Sequence, residues 1–172
     1  MSFPAAATDV FLKPGEWFVG DASHRIRTVL GSCISTTLWC PALRVGAMSH
    51  CLLPTRGRAG VDDARGLELR ALDARYGDEA LHLMLHELAR RGVQPAQCRA
   101  KVFGGGSMFP AHEGGVGRRN GEAALGLLRA RGIELVSKSL FGDGHRQIVF
   151  DVGTGDVWAR QLPPQADAGR AW

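Results

Sequence analysis

The sequence has no long hydrophobic run and no close pair of cysteines, and each absence argues against a class of protein. Its apolar stretches are far shorter than the roughly 20 residues that a helix needs to cross a bilayer. Residues 1–14 lack the early positive charge and apolar core of a signal peptide. The four cysteines form no Cys-x-x-Cys motif. We therefore expect a cytoplasmic protein with free thiols and no insertion into the membrane.

Runs of like charge are also absent. The chain has 21 Lys and Arg against 17 Asp and Glu, a formal net charge of +4, and the basic residues are scattered along it. Proteins that bind nucleic acids usually gather basic side chains into one patch or stripe. We therefore expect no nucleic-acid partner, whereas the mildly positive surface suits acidic protein partners.

The length of the chain allows one sizeable core. A chain of 172 residues that is 45% hydrophobic is too short for two independent cores. Residues 1–13 and 162–172 are rich in Ala, Pro and small polar residues and have no apolar period. We therefore expect a single domain over residues 14–161 between two flexible ends.

Periodicity predicts more sheet than helix. Short β-branched and apolar segments between turn signals predict strands at 26–30, 34–39, 44–53, 99–104, 133–139, 146–151 and 155–160. A helix is expected over 78–91, ending at Gly92, and a second helix from Asn120 as N-cap to Gly132. The glycine- and charge-rich segment 55–69 is expected to be an exposed loop available for partner contacts.

Cys33 and His50 are the residues that could carry chemistry. Cys33 follows Gly-Ser at the end of a predicted strand, where a sharp turn would expose its side chain. If strands 34–39 and 44–53 form a hairpin, the end of the second strand returns to the start of the first, and His50 can meet Cys33. A free thiol has a pKa of about 8.5, so a neighbouring imidazolium would be needed to ionise it at neutral pH.

Each of these residues also has an ordinary structural explanation. Cysteine is among the most buried residue types, and a lone histidine in an apolar strand is usually a hydrogen-bonded core or edge residue. Spacing alone leaves both interpretations open. His82 and His86 have the i, i+4 spacing of a zinc site, but the Glu of a metalloprotease motif and a third ligand are missing. We therefore expect no metal and no cofactor.

Six segments together resemble one protein family. They are "TVLGSC", "RVGAMSHCLLP", "ALHLMLHELARRGV", "KVFGGGSMF", "VGRRN" and "GDGHRQIVFDVGTGDV". Their order and spacing are similar to those of the chemoreceptor glutamine deamidases of the CheD family, over roughly residues 14–160. The resemblance implies an α+β fold, a mixed β-sandwich layered with helices, similar to the catalytic domains of bacterial toxins that deamidate glutamine.

The resemblance also implies a catalytic triad of Cys, His and Thr. Cys33 would be the nucleophile and His50 the general base. The family's threonine stands six residues before the cysteine, a place that Arg27 occupies here. Either the loop is one residue shorter and Thr28 fills the third role, or a backbone carbonyl orients the histidine. Backbone N–H groups at the Ser32 to Ile34 turn are expected to stabilise the negative charge that develops on the amide oxygen of the substrate, the oxyanion.

The expected function is conversion of Gln to Glu on methyl-accepting chemoreceptors through a thioester on the cysteine. The family resemblance further implies a regulatory partner, a phosphatase of the CheC type. Two alternatives stay open at this point. One is a non-catalytic chemotaxis adaptor that binds receptors or a CheC-type phosphatase, and the other is a cysteine hydrolase with a different amide substrate.

Overall fold

Nine strands and two α-helices form three layers in the part of the chain that the structure, a computed structural model, describes: residues 7–56, 69–108 and 115–162. One mixed sheet has the order β1-β3-β8-β9, with strands Thr8–Phe11, His24–Leu30, Arg146–Asp151 and Val157–Gln161. The other mixed sheet has the order β2-β5-β4-β6-β7, with strands Trp17–Gly20, Val45–Ser49, Ile34–Cys40, Arg99–Gly104 and Glu134–Leu140. Helices α1 (Gly77–Arg90) and α2 (Val116–Ala130) pack on the second sheet.

Two hydrophobic clusters hold these layers together. Between the sheets, Ile26 and Ile148 of the first sheet pack in one cluster with Met48 and Phe103 of the second. On the other face of the second sheet, a second cluster joins its strands to both helices through Leu38, Val102, Met84 and Leu128. Because alternate residues of a strand face opposite sides, the central strand β4 serves both clusters. The expected α+β sandwich with helices is confirmed.

The two helices lie where the apolar period predicts them. α1 buries Leu81, Met84, Leu85 and Leu88, and Gly92 follows it with a φ of 82°. α2 ends before Gly132, which has a φ of 65°, the left-handed conformation that favours glycine. The predicted N-cap is wrong, however, because α2 begins one turn earlier, after Gly115, and Asn120 lies inside the helix. No described helix is long and apolar enough to cross a membrane.

The N-terminal segment is more ordered than its composition indicates. Thr8–Phe11 pairs in parallel with β3, and the Leu12 N–H donates to the Arg27 carbonyl at 2.8 Å. Leu12 is 2% exposed, so the expectation of a flexible end is wrong for Thr8 to Leu12. A four-residue strand has too little pattern to be recognised and is held by its partner strand. The predicted tail beyond residue 162 and most of the predicted 55–69 loop lie outside the described residues.

Candidate active site

The predicted hairpin is present and brings the two candidate segments together. Strands β4 and β5 pair antiparallel, and an isolated bridge beyond β5 joins Ile34 to Cys51. The Ile34 N–H donates to the Cys51 carbonyl at 2.9 Å, and the Cys51 N–H donates to the Ile34 carbonyl at 2.8 Å. Cys33 and His50 are the residues directly before Ile34 and Cys51. The hairpin therefore places both at the same end of the second sheet.

Both side chains belong to the face of that sheet that looks toward the first sheet. Cys33 packs against the cluster between the sheets, and so does Met48, two residues before His50. Since strand residues two apart share a face, His50 points to the same side as Met48. Cys33 is partly buried, whereas Cys40, Cys51 and Cys98 are buried. Of the four thiols, that of Cys33 is therefore the most accessible to a substrate.

Thr28 reaches this site from the facing sheet. It lies on β3 between Ile26 and Leu30, is 1% exposed, and places its Oγ1 2.7 Å from Nδ1 of His50. The same hydroxyl donates its proton to the Leu12 carbonyl at 2.7 Å. A hydroxyl has one proton to donate, so Oγ1 accepts the Nδ1–H of His50. The imidazole is thus held with Nε2 unprotonated and able to take a proton from a thiol.

Arg27 does not share this position. Adjacent strand residues face opposite sides, and the Arg27 Nε lies 3.6 Å from the Asp9 carboxylate, with both side chains substantially exposed. Of the two alternatives for the third role, Thr28 and a backbone carbonyl, the Thr28 hydroxyl lies 2.7 Å from Nδ1 of His50. The Leu12 carbonyl contributes as the acceptor of the Thr28 hydroxyl.

Main-chain hydrogen bonds fix His50 to the segment before β2. Its N–H donates to the Glu16 carbonyl at 2.9 Å, and its carbonyl accepts from the Gly15 N–H at 2.8 Å. Burial lowers the pKa of His50, and this effect is opposed by a hydrogen bond to the Leu12 carbonyl and by the charge of Glu16. The histidine is therefore held neutral, the form that a general base requires.

Burial also raises the pKa of the Cys33 thiol. The sequence predicts a thiolate beside an imidazolium, but the surroundings favour the neutral thiol and the neutral imidazole. The difference follows from desolvation, which acts against the charged form of each group. Both groups therefore favour their uncharged forms before a substrate binds.

The glycine segment after β6 grips the turn that carries Cys33. The Gly105 N–H donates to the Cys33 carbonyl at 2.9 Å, and the Gly106 N–H donates to the Gly31 carbonyl at 2.9 Å. Gly104 has a φ of 110°, and a Cβ built on it would lie 2.1 Å from the Cys33 carbonyl oxygen. A side chain cannot fit there. This role was not predicted from the sequence, although three consecutive glycines at a strand end are a signal of close backbone approach.

Asn120 is a second residue that sequence reasoning missed. It is 3% exposed, and its Nδ2 donates to the Ser32 carbonyl at 3.1 Å and to the Leu52 carbonyl at 2.8 Å. These carbonyls lie one residue before Cys33 and two residues after His50. One feature of the sequence could have predicted its burial: Asn120 precedes Ala124 by four residues and so shares the buried face of α2.

The turn offers fewer oxyanion donors than expected. The Ile34 N–H is already donated to Cys51, so its predicted part in an oxyanion hole is not supported. Among the described residues, the Ser32 and Cys33 N–H groups have no hydrogen-bond acceptor. These two donors are the ones available to a substrate oxygen.

No group of three or more His, Cys, Asp or Glu side chains is placed to hold a metal ion within residues 7–56, 69–108 and 115–162. His82 and His86 lie on α1, where His82 is half-buried and His86 is exposed.

Comparison with known proteins places the chain in a family. A family model described as CheD chemotactic sensory transduction matches residues 53–161. The chain belongs to the CheD family. A CheD relative from Albidiferax ferrireducens, named "Probable chemoreceptor glutamine deamidase CheD 2", is 60% identical over 168 residues, covering 95% of this chain and 93% of the relative. The family model matches only residues after His50. The similarity of the segments that contain Cys33 and His50 is therefore shown by relatives that cover nearly the whole chain.

More distant CheD relatives have similar names and similar coverage. "Probable chemoreceptor glutamine deamidase CheD 3" of Dechloromonas aromatica is 40% identical over 168 residues, which are 96% of this chain and 94% of the relative. "Probable chemoreceptor glutamine deamidase CheD" of Pseudomonas savastanoi pv. phaseolicola is 37% identical over 171 residues, which are 96% of this chain and 92% of the relative. The similarity to CheD proteins therefore extends over nearly the whole chain.

Proposed function

We propose that this protein hydrolyses glutamine side chains of methyl-accepting chemoreceptors to glutamate, with Cys33 as nucleophile, His50 as general base and Thr28 as the residue that orients His50. The observation that carries the proposal is the 2.7 Å contact between Thr28 Oγ1 and His50 Nδ1, which joins the two sheets at the hairpin end that also carries the partly buried Cys33. A neutral histidine held by a hydroxyl, at the same hairpin end as a partly buried cysteine, supports acyl transfer through a Cys–His pair. The names of the CheD relatives support glutamine on chemoreceptors as the substrate.

The reaction follows from the protonation states. Sulfur attacks the side-chain carboxamide carbon while its proton passes to Nε2 of His50. The imidazolium then protonates the departing nitrogen, the carbon–nitrogen bond breaks, and ammonia leaves a thioester on Cys33. A water molecule, deprotonated by the same Nε2, attacks the thioester carbonyl. The carbon–sulfur bond breaks, the thiol regains its proton, and glutamate is the product.

Thr28 contributes through the direction of its hydrogen bond. Because its own proton goes to the Leu12 carbonyl, its oxygen stays available to the Nδ1–H of His50 throughout the cycle. This bond strengthens when the imidazole becomes positively charged, since hydrogen bonds to charged donors are stronger than neutral ones. Thr28 thus favours the state in which His50 carries the thiol proton.

The oxyanion is assigned to the N–H groups of Ser32 and Cys33. As the carbonyl carbon becomes tetrahedral, negative charge develops on the amide oxygen and needs preorganised donors. Both N–H groups lie in the turn that carries the nucleophile, and neither has another acceptor among the described residues.

The test is incubation of the pure protein with a chemoreceptor cytoplasmic fragment, followed by mass spectrometry. Each deamidated glutamine adds about one dalton, because an NH2 group is replaced by OH. We expect Cys33→Ala and His50→Ala to abolish this gain. Cys98→Ala, which changes a buried thiol directly before β6 in the cluster on the helix side of the second sheet, is the matched control and should retain activity. Turnover that survives loss of Cys33 or His50 would contradict the proposed site.

The regulatory partner is a separate part of the proposal. The resemblance to CheD proteins implies a CheC-type phosphatase as partner, and a co-purification experiment with such a phosphatase tests it.

If the protein binds receptor fragments without changing their mass, the non-catalytic adaptor is the better description.

A further inference from the structure

We infer that Asn120 is a positioning residue that aims the backbone N–H of Cys33 at the oxyanion of the reaction; this inference rests on the proposed cysteine acyl-transfer chemistry. Asn120 does not reach the substrate in this scheme. It acts through the peptide between Ser32 and Cys33, whose carbonyl accepts from its Nδ2 at 3.1 Å.

The geometry of the peptide unit carries the argument. The described residues contain no cis peptide bond, and in a planar trans peptide the C=O and N–H point in opposite directions. The Ser32 carbonyl and the Cys33 N–H belong to the same peptide. When Asn120 holds that carbonyl toward α2, it turns the Cys33 N–H away from the helix layer. The Cys33 side chain packs on that opposite side, against the cluster between the sheets.

The neighbouring peptide is held in the same way. The Gly31 carbonyl accepts from the Gly106 N–H at 2.9 Å, so the Ser32 N–H of that peptide points away from the glycine segment. Two consecutive peptides thus have their carbonyls occupied and their N–H groups without an acceptor among the described residues. Such fixed donors are what oxyanion stabilisation requires.

Asn120 also connects the nucleophile to the base. Its second Nδ2 hydrogen bond goes to the Leu52 carbonyl at 2.8 Å, two residues beyond His50. One side-chain amide therefore spans the two segments of the hairpin end. The Oδ1 of Asn120 is buried without a partner among the described residues. Burying an amide oxygen without a partner costs folding free energy. The favourable contribution of Asn120 therefore comes from the two hydrogen bonds that its Nδ2 donates.

The experiment separates carbonyl chemistry from thiol reactivity. Acetylation of Cys33 by p-nitrophenyl acetate forms a sulfur–carbon bond, releases p-nitrophenolate and passes through an oxyanion. Alkylation of Cys33 by iodoacetamide displaces iodide and forms no oxyanion. Both rates are followed by peptide mass spectrometry at one fixed pH. Their ratio reports on the oxyanion donors and does not depend on a receptor substrate.

We expect Asn120→Leu to lower the ratio of acetylation to alkylation by about 10-fold or more, given the ~100- to 1,000-fold losses seen when an oxyanion donor is deleted outright. Asn120→Ser, which keeps one donor and serves if the Leu variant does not fold, should show a smaller loss in the same direction. The control is Leu128→Ala, a buried change on the same helix that contacts neither carbonyl. It should lower the melting temperature and leave the ratio unchanged.

An unchanged ratio in the foldable Asn120 variant would overturn the inference. So would an equal fall of both rates, because it would show that Asn120 affects the thiol or the fold in general. Turnover of the receptor fragment is measured in parallel. A wild-type protein that reacts with both reagents but leaves the receptor unchanged would contradict the proposed substrate, while the ratio still decides the role of Asn120.

Discussion

Replacement of Thr28 by valine is the sharpest test of how His50 is activated. Valine keeps the shape of threonine but removes the hydroxyl that accepts from Nδ1 and donates to the Leu12 carbonyl, both at 2.7 Å. The Nδ1–H of His50 would lose the Thr28 oxygen, and the Leu12 carbonyl would lose the Thr28 proton, in a site where Thr28 is 1% exposed and His50 is 3% exposed. We therefore expect Thr28→Val to lower both the catalytic rate and the free energy of unfolding, and the two effects can be measured separately.

The size of the catalytic effect follows from the charge on the imidazole. A hydrogen bond to a charged group contributes about 1.5–3 kcal/mol, and the imidazolium forms only as the thiol is deprotonated. At ~1.36 kcal/mol for each factor of ten, kcat should fall between about 10-fold and 150-fold. Since the hydroxyl does not touch the substrate, KM should change little. Loss of these two buried hydrogen bonds should also lower the free energy of unfolding, by about 1–3 kcal/mol in all.

Thr28→Ser provides the matched control, because it retains the hydroxyl and loses a methyl group. Steady-state kinetics on the receptor fragment and chemical denaturation should be measured for both variants. If Thr28→Val is as active as the wild type, the hydrogen bond does not assist the base. If Thr28→Ser is as inactive as Thr28→Val, the effect is one of packing and our interpretation of the hydroxyl is wrong.

Three other features of the site lead to measurable outcomes. Gly104→Ala should reduce turnover by about 100-fold or more, because the added Cβ would lie 2.1 Å from the Cys33 carbonyl oxygen. Gly126→Ala is the control, because Gly126 has open space around it in α2, and this change should raise the free energy of unfolding by about 0.5–1 kcal/mol. Because burial lowers the pKa of His50, the half-maximal point on the acidic side of the kcat/KM profile should lie below pH 6.5, and one at or above 6.5 would contradict a buried neutral base. The unfolding free energy should also decrease as the pH falls below 6.5, since the unfolded chain then binds a proton that folded His50 resists. Because burial raises the pKa of the Cys33 thiol, its iodoacetamide labelling should be slow at neutral pH and still rising at pH 9.0, and a plateau below that pH would indicate a preformed thiolate.

The elements that the sequence predicts well are those with local signals. The segments 34–39 and 44–53 alternate or run apolar on either side of a Pro-containing turn, and they form the β4–β5 hairpin that brings Cys33 and His50 to one end of a sheet. Both helices follow from apolar residues at helical spacing and end before glycines with positive φ. Strand β1 was missed because four residues carry little pattern, and it is fixed by pairing with β3.

The misjudged residues are those whose partners are distant in the chain. Asn120 has the side chain of an N-cap, but its amide bonds carbonyls 88 and 68 residues away, at Ser32 and Leu52. The Ile34 N–H has the position of an oxyanion donor in the sequence, but the bridge to Cys51 uses it. In each case a tertiary hydrogen bond takes a group that local reasoning had assigned elsewhere.

By itself the sequence determined the alternation of strands and helices and the candidate pair Cys33 and His50, because both depend on periodicity and turn chemistry within short segments. Only the tertiary structure decided that the Thr28 hydroxyl contacts the histidine, that Arg27 faces away, and that burial favours the neutral thiol and the neutral imidazole. Those properties arise where two sheets meet. A hydrogen bond across that space and the desolvation around it depend on which side chains the packing of the layers brings face to face.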